Sequence, residues 1–178
     1  NTNQTIEFVN LASNTGFGFN PATGFPSDSL AVTPAGQVIA AENATGALWD
    51  VTGPATPFGA TGYTQIGDLD YGVNGLWGYS NASDTLFFYD FGSAAVSYAQ
   101  SFVVPASVDI TGVAYQSGSG DVYLSANSGL NSDFLLRVAA ATPSVLTSVG
   151  GMSHGDAFSF ISDIDFDAGG NLIAMTWF

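Results

Sequence analysis

Three aspartates alternate with other residues along one short stretch of the chain. Asp163, Asp165 and Asp167 lie in the segment SDIDFDAGGNLIAM. If this segment is a strand, the three carboxylates share one face at intervals of about 6.8 Å. Like charges at this spacing repel each other unless a bound ion neutralises them, and calcium prefers oxygen ligands. One interpretation is therefore a calcium site formed by Asp156, Asp163 and Asp165.

A second interpretation of the same residues needs no ion. Asp167 begins the turn sequence DAGGN, and aspartate commonly caps such turns, which leaves Asp163 and Asp165 solvated near a loop. The EF-hand pattern is not matched, because its sixth position is Ala168 instead of glycine and its twelfth is Ala174 instead of glutamate. Paired carboxylates also serve glycosidases, although no other feature of the sequence supports that chemistry.

The segment GMSHG at residues 151–155 matches the G-x-S-x-G string of hydrolase nucleophile elbows. An elbow needs a strand before it, a helix after it and a separate histidine downstream, whereas the single histidine of this chain lies inside the motif. The sequence also lacks a second histidine for a zinc site, a Walker motif and a dinucleotide fingerprint. We interpret the segment as a glycine-rich loop, and we expect neither an enzyme nor a cofactor other than calcium.

The charge balance excludes two classes of partner. Among 178 residues there are 15 Asp and Glu but one Lys or Arg, for a formal net charge of −14. Phosphate groups are bound by Lys and Arg, and Arg137 alone cannot neutralise several of them, so we expect no binding to nucleic acid or to anionic membranes. The longest apolar runs are far shorter than the roughly 20 residues of a membrane span.

The composition also suggests a location. The chain has no cysteine and no lysine, and it starts with asparagine, as a chain does after removal of a signal peptide. A lysine-free protein would be unusual in the cytosol, so we expect a secreted protein, extracellular or at the cell surface. N-glycosylation sequons occur at Asn3, Asn43 and Asn81, close to the number of about two expected by chance.

A short apolar hairpin pattern occurs four times. In residues 28–41, 75–89, 111–125 and 162–175, alternating apolar residues precede a turn and a second apolar run follows it. Two more variable runs follow each hairpin, such as residues 46–52 and 63–69 after the first, so each repeat holds four strands. The last repeat lacks two strands, which the N-terminal residues 5–10 and 17–20 are expected to supply. The repeats span approximately 22–70, 71–108, 109–155 and 156–178, the last completed by 1–21.

Aligning the four hairpins predicts which residues share a face of the first strand. Bulky residues fall on one face, and three of the four residues between them are small. Such a strand suits a crowded position where sheets stack on both sides. The aligned bulky residues are Leu30, Trp77, Val113 and Ile164, followed by Val32, Tyr79, Tyr115 and Phe166.

The repeats resemble the blades of β-propellers, and FDAGGNLIA and VTPAGQVIA are similar to the inner hairpin of NHL-type and related propellers. The resemblance implies an all-β fold in a single domain, residues 1–178: a four-bladed β-propeller whose four-stranded antiparallel blades are closed by the N-terminal strands. A β-sandwich or jelly roll is the alternative, because short strands with glycine-rich turns suit both folds.

Two function classes follow. The first is a non-enzymatic structural or assembly module of a cell-surface structure or filament, acting through self-association. The second is a lectin-like or protein-binding module that contacts cell-surface protein or glycan, for which Trp49, Trp77 and Trp177 would be stacking platforms unless they belong to the core. A carboxylate-dependent glycosidase or other hydrolase is the third alternative.

Overall fold

The computed structural model describes residues 26–27, 29–128, 133–152 and 160–177, together with the backbone of residues 6–10 and 15–19. The secondary structure of these residues is entirely β. The strands are β1 (Ile6–Asn10), β2 (Thr15–Phe19), β3 (Ser29–Val32), β4 (Val38–Ala41), β5 (Ala47–Asp50), β6 (Thr56–Ala60), β7 (Ile66–Gly72), β8 (Gly75–Ser80), β9 (Thr85–Asp90), β10 (Ala95–Ser101), β11 (Asp109–Gln116), β12 (Asp121–Asn127), β13 (Asp133–Val138), β14 (Leu146–Gly151), β15 (Phe160–Phe166) and β16 (Leu172–Trp177).

The strands form repeated antiparallel meanders. Strands β3–β6, β7–β10 and β11–β14 each form a four-stranded sheet in chain order, while β1–β2 and β15–β16 are two-stranded sheets. The first strands stack on one another in the order β3, β7, β11 and β15. Each sheet is therefore one blade, with its first strand innermost. Within the described residues, no helix is long and apolar enough to cross a bilayer.

The strand assignment predicted for the second repeat is wrong by one strand. Residues 63–69 were predicted to form the last strand of the first repeat, with residues 75–89 as the next inner hairpin. Instead, Ile66–Gly72 (β7) is the first strand of the second sheet, ahead of the predicted boundary at residue 71. The innermost positions predicted for Trp77 and Tyr79 therefore belong to Leu69 and Tyr71.

Apolar layers between the sheets hold the blades together. The central apolar residues of β7, β11 and β15 point toward the preceding blade, and these residues, Leu69, Val113 and Ile164, are 3%, 1% and 2% exposed. Leu69 packs with Ile39 of the first blade, and Val113 packs with the second. Burial of each such side chain contributes about 1.5–3 kcal/mol to stability, so the stacking of blades is a main source of stability.

The described strands do not show how the two ends of the stack are completed. The predicted N-terminal hairpin is present, because β1 pairs with β2 in antiparallel register from Ile6↔Phe19 to Asn10↔Thr15. Among the described strands, however, β16 pairs with β15 alone and neither β1 nor β2 joins that sheet. Closure of the ring by the N-terminal strands therefore stays a prediction.

Candidate functional site

Two of the four inner strands carry the same pattern of two aspartates. Strand β7 contains Asp68-Leu69-Asp70-Tyr71, and β15 contains Asp163-Ile164-Asp165-Phe166. The two sequences occupy the same register, since an irregularity in the pairing precedes the first aspartate of each, between Ile66 and Asp68 in β7 and between Ile161 and Asp163 in β15. Because side chains alternate across a strand, the aspartates face the next blade. At these positions β3 and β11 have the small residues Ser29, Ala31, Gly112 and Ala114.

The aspartates of β7 join the second blade to the third. The backbone N–H of Val113 donates to Oδ2 of Asp68 at 2.8 Å, and that of Tyr115 donates to Oδ2 of Asp70 at 2.6 Å. The other oxygen of Asp70, Oδ1, accepts the N–H of Tyr71 at 2.6 Å. The two carboxylates thus satisfy N–H groups of β11 that its own ladder leaves unpaired. We call this contact the Asp68/Asp70 joint.

Burial perturbs these carboxyl groups. Burial raises the pKa of Asp68 well above its usual value, and the neighbouring Asp163 carboxylate raises it further. Burial also raises the pKa of Asp70 to about 6, although the hydrogen bond from the N–H of Tyr115 acts in the opposite direction and lowers it. The pKa of Asp163 is raised by burial as well, while a hydrogen bond with Asp68 lowers it. The two neighbouring carboxyl groups thus both bind a proton more readily than an exposed aspartate does, because burial and their mutual repulsion disfavour two charges at this place.

Of the corresponding aspartates of β15, Asp165 faces an open groove, whereas Asp163 lies at its half-buried edge and is hydrogen-bonded to Asp68. Oδ1 of Asp165 accepts the N–H of Phe166 at 2.6 Å, as Asp70 does with Tyr71. The Asp165 side chain is exposed, and its Oδ2 has no donor among the described residues. From β16, Ile173 and Met175 are 57% and 59% exposed. These side chains line a shallow groove of about 280 Å³, which combines carboxylate and apolar surface. We call it the β15–β16 groove.

The residues predicted to bind calcium are only partly brought together. Asp163 and Asp165 both line the β15–β16 groove, whereas Asp156 lies outside the described residues. Asp167 caps the hairpin turn, since its Oδ1 accepts the N–H groups of Gly169 at 2.9 Å and Asn171 at 2.8 Å. The described part of the chain contains no group of three His, Cys, Asp or Glu arranged to hold a metal. The calcium site stays a prediction, as does the interpretation of residues 153–155, which are not described.

Asp68 and Asp70 were not identified from the sequence. The signal that could have found them is the D-x-D pattern, which occurs in IGDLDYG as well as in FISDIDF. Aligning those two segments would have placed both pairs on inner strands. The bulky apolar residues of GLWGYS favoured the wrong alignment instead.

The sequon residue Asn81 has a structural contact. Its Nδ2 donates to the carbonyl of Ile110 at 2.9 Å, and the N–H of Ile110 donates to its Oδ1 at 2.9 Å. Asn81 is half-buried and anchors the start of β11. Asn43 lies in the equivalent turn of the first blade, where its carbonyl accepts the N–H of Gln65. Asn3 is outside the described residues, and glycosylation at all three sites stays a prediction.

The tryptophan with the most ring contacts belongs to a packed cluster. The ring of Trp77 lies 5.0 Å from that of Phe88, 5.5 Å from that of Tyr98 and 6.3 Å from that of Tyr115, between centroids. Its faces are therefore covered by protein, as the core interpretation predicted. Trp49 is half-buried on β5, and the side chain of Trp177 is not described.

Comparison with known proteins identifies the fold class. No protein-family model matches the chain, and no curated protein matches its sequence. A chain of the nidogen/laminin complex is similar in structure, with a TM-score of 0.71 and 11% identity over 97% of this chain and 66% of that one. Streptogramin B lyase is similar with a TM-score of 0.59 and 13% identity, over 96% of this chain and 51% of that one. A catalytically inactive virginiamycin B lyase from Staphylococcus aureus is similar with a TM-score of 0.62 and 14% identity, over 99% of this chain and 58% of that one.

These similarities establish the fold and nothing finer. The protein has an all-β propeller fold, as the blade pattern predicted, and the β-sandwich alternative is wrong. Identities of 11–14% leave activity and partners open. The chain spans about half to two thirds of the length of these three propellers.

Proposed function

We propose that this protein is a non-enzymatic, protein-binding β-propeller that acts as a structural or assembly module of an extracellular or cell-surface structure. The observation that carries the proposal is the β15–β16 groove. It presents exposed apolar side chains beside carboxylates, in the same arrangement that joins two blades inside the molecule. Such a surface suits a protein strand, because it can accept backbone N–H groups and cover apolar side chains at once.

The described carboxylates support binding rather than catalysis. A catalytic acid or base must reach a proton of the substrate, whereas Asp68 and Asp70 are bonded to the backbone of the neighbouring blade. Two of the similar structures are lyases, but that likeness concerns the fold alone. Two others belong to protein complexes, the nidogen/laminin complex and the mitotic checkpoint complex, which is consistent with a protein-binding role for the fold.

The location part of the proposal rests on composition. A chain with one Lys or Arg and a net charge of −14 repels nucleic acid and anionic lipid. This charge suits a component of an extracellular or cell-surface structure. Electron microscopy of native material released from cells, beside a washed cell fraction, tests the proposal. We expect filaments or lattices that antibodies to this chain label in the extracellular or surface fraction. Label confined to the cell interior, or to dispersed single molecules, would overturn it.

A further inference from the structure

The side chain of Asn81 bridges the second and third blades. Asn81 follows β8, and its Nδ2 donates to the carbonyl of Ile110 at 2.9 Å while its Oδ1 accepts the N–H of Ile110 at 2.9 Å. One amide group thus pairs with both main-chain groups of a residue 29 positions further along the chain, as a neighbouring strand would. We call this pair of hydrogen bonds the Asn81 clamp.

The clamp holds β11 at its first buried residue. Ile110 is 1% exposed and belongs to the apolar cluster that joins the second and third blades, together with Tyr79 and Val113. The pairing of β11 with β12 is irregular directly afterwards, between Ile110 and Gly112, so the clamp supports the strand beside a weak point of its own ladder. Loss of the clamp therefore removes a partner from both main-chain groups of Ile110 at a buried position.

Little space surrounds Nδ2 of Asn81. On β7, a Cβ placed on Gly67 would lie 2.7 Å from Nδ2 of Asn81 and would overlap the carbonyl oxygen of Ile110. A single methyl group therefore does not fit beside the clamp. The main chains of β7 and β11 both lie against the Asn81 amide.

Asn81 is also the acceptor residue of the sequon at residues 81–83, and an N-glycan is attached at Nδ2, the donor atom of the clamp. The linkage is a planar trans amide, in which the first sugar replaces the hydrogen on the same side as Oδ1. Because Oδ1 and Nδ2 both bond to Ile110, this is the hydrogen that the clamp donates. The sugar would occupy the place of the Ile110 carbonyl.

The order of synthesis leaves this sequon without its clamp for a time. Asn81 precedes Ile110 by 29 residues, so it emerges first, and a chain begins to fold from its N-terminal side during synthesis. In glycosylating cells, transfer forms a bond between Nδ2 and C1 of the first sugar and breaks the bond from C1 to the diphosphate of a lipid-linked oligosaccharide. The proton leaves Nδ2, and the lipid diphosphate is released.

We propose that Asn81 is a modification site at which attachment of an N-glycan and docking of the third blade exclude each other. A copy with unmodified Asn81 forms the clamp and buries Ile110 against the second blade. A copy that receives the glycan first lacks the clamp and leaves the apolar side of β11 uncovered. This inference goes beyond the proposed function and does not depend on it, because it concerns contacts between blades.

Expression of the full chain in a host without N-glycosylation tests the clamp. Asn81→Ala removes both hydrogen bonds and should lower the midpoint of urea unfolding. Ser83→Ala is the matched control, because it removes the sequon, keeps the Asn81 amide and loses a bond of 3.1 Å between the hydroxyls of Ser83 and Ser80. Its midpoint should equal that of the wild type. Failure of Asn81→Ala to fold beside a folded Ser83→Ala also supports the clamp, whereas equal midpoints of all three proteins would overturn it.

Expression in a secreting host that N-glycosylates tests the exclusion. Ser83→Ala has no sequon at this place, and Ser83→Thr has a threonine sequon, which accepts glycans more efficiently than the serine sequon of the wild type. Chymotrypsin separates folded from unfolded copies, because the chain has 14 Phe, 7 Tyr and 3 Trp. We expect the resistant yield to decrease from Ser83→Ala to the wild type to Ser83→Thr, and to be equal for the three in the first host.

Peptide mapping of the resistant and the digested fractions completes this test. The Asn81 glycan should occur in the digested fraction alone, while glycans at Asn3 and Asn43 affect the three proteins equally. A resistant copy that carries a glycan on Asn81 would overturn the proposal. Equal resistant yields in the glycosylating host would overturn it as well, including the case in which Asn81 receives no glycan in any of the three.

Discussion

Strands β7 and β15 have the same pattern of aspartate, apolar residue, aspartate and aromatic residue, but they lie in different environments. On β7 the carboxylates are bonded to the next inner strand, and Asp68 is 7% exposed. On β15 the apolar residue Ile164 is 2% exposed, yet Asp165 is exposed. Among the described strands, β7 contacts the inner strands β3 and β11 on its two sides, whereas the inner strand that β15 contacts is β11, which accounts for the difference.

This comparison indicates what the pattern does. The apolar residue packs on the preceding blade, and the aspartates capture the backbone of the following one. The first and third blades contact the following blade without carboxylates, because their inner strands carry small residues that permit close approach. A Cβ on Gly112 of the third blade, for example, would lie 2.7 Å from the backbone nitrogen of Ile164. Carboxylate joints and close-packed joints thus alternate along the stack.

The largest effect should come from removing an apolar side chain at the interior joint. Leu69→Ala should lower the free energy of unfolding by about 2–5 kcal/mol, because the buried side chain leaves a cavity. Leu30→Ala, at the same register on β3, should cost less than about 1 kcal/mol, since Leu30 is 43% exposed. Urea unfolding at low protein concentration measures both. Equal losses would contradict the difference in burial between Leu69 and Leu30.

The second effect is a pH dependence that belongs to the Asp68/Asp70 joint. The pKa of Asp70 in the folded protein is raised to about 6 from an ordinary value of 3.8. A raised pKa means that the folded state holds the proton more tightly, so this contribution to stability is full below about pH 4 and is lost as the pH rises through about 6. The loss attributable to Asp70 is about 3 kcal/mol.

Unfolding free energies measured from about pH 4 to pH 7 test this dependence. Asp70→Asn should flatten the decline, because an amide does not ionise. Asp109→Asn removes an exposed carboxylate elsewhere on β11 and should leave the decline as in the wild type. A stability that increases between pH 4 and pH 7 would contradict the buried environment of this joint.

A smaller effect is expected where two blades meet without carboxylates. Gly112→Ala places a Cβ 2.7 Å from the backbone nitrogen of Ile164 and 2.7 Å from Oγ of Ser125, so the third and fourth blades must shift apart. We expect a loss of about 1–3 kcal/mol in unfolding free energy. Gly118→Ala is the control, because a Cβ there meets nothing within 4 Å. A Gly112→Ala protein as stable as this control would show that the joint is looser than described.

The smallest effect concerns calcium. If the groove carboxylates serve to accept backbone N–H groups, excess calcium followed by chelator should leave the thermal midpoint unchanged. A ligand that binds only the folded state must raise the midpoint. A rise that Asp165→Ala abolishes would instead support the calcium site predicted from Asp156, Asp163 and Asp165.

Much of the fold could be predicted from local patterns. Alternating apolar residues around turn sequences identified hairpins in all the repeats, and the β1–β2 hairpin was also expected. The turn-capping role of Asp167 followed from its place before DAGGN and is confirmed. The site was harder to predict, because a carboxylate that accepts a backbone N–H from a strand 45 residues away has no local signature.

The sequence by itself determined that this chain forms short strands in repeated hairpins, because the period of apolar residues and the turn residues act locally. It also determined the acidic, lysine-free surface. Only the tertiary structure decided that Ile66–Gly72 is an inner strand, since hairpins with similar alternation can occupy any position in a sheet. It also decided which aspartates are buried, because the environment of Asp70 and Asp165 depends on whether another blade stacks beside them.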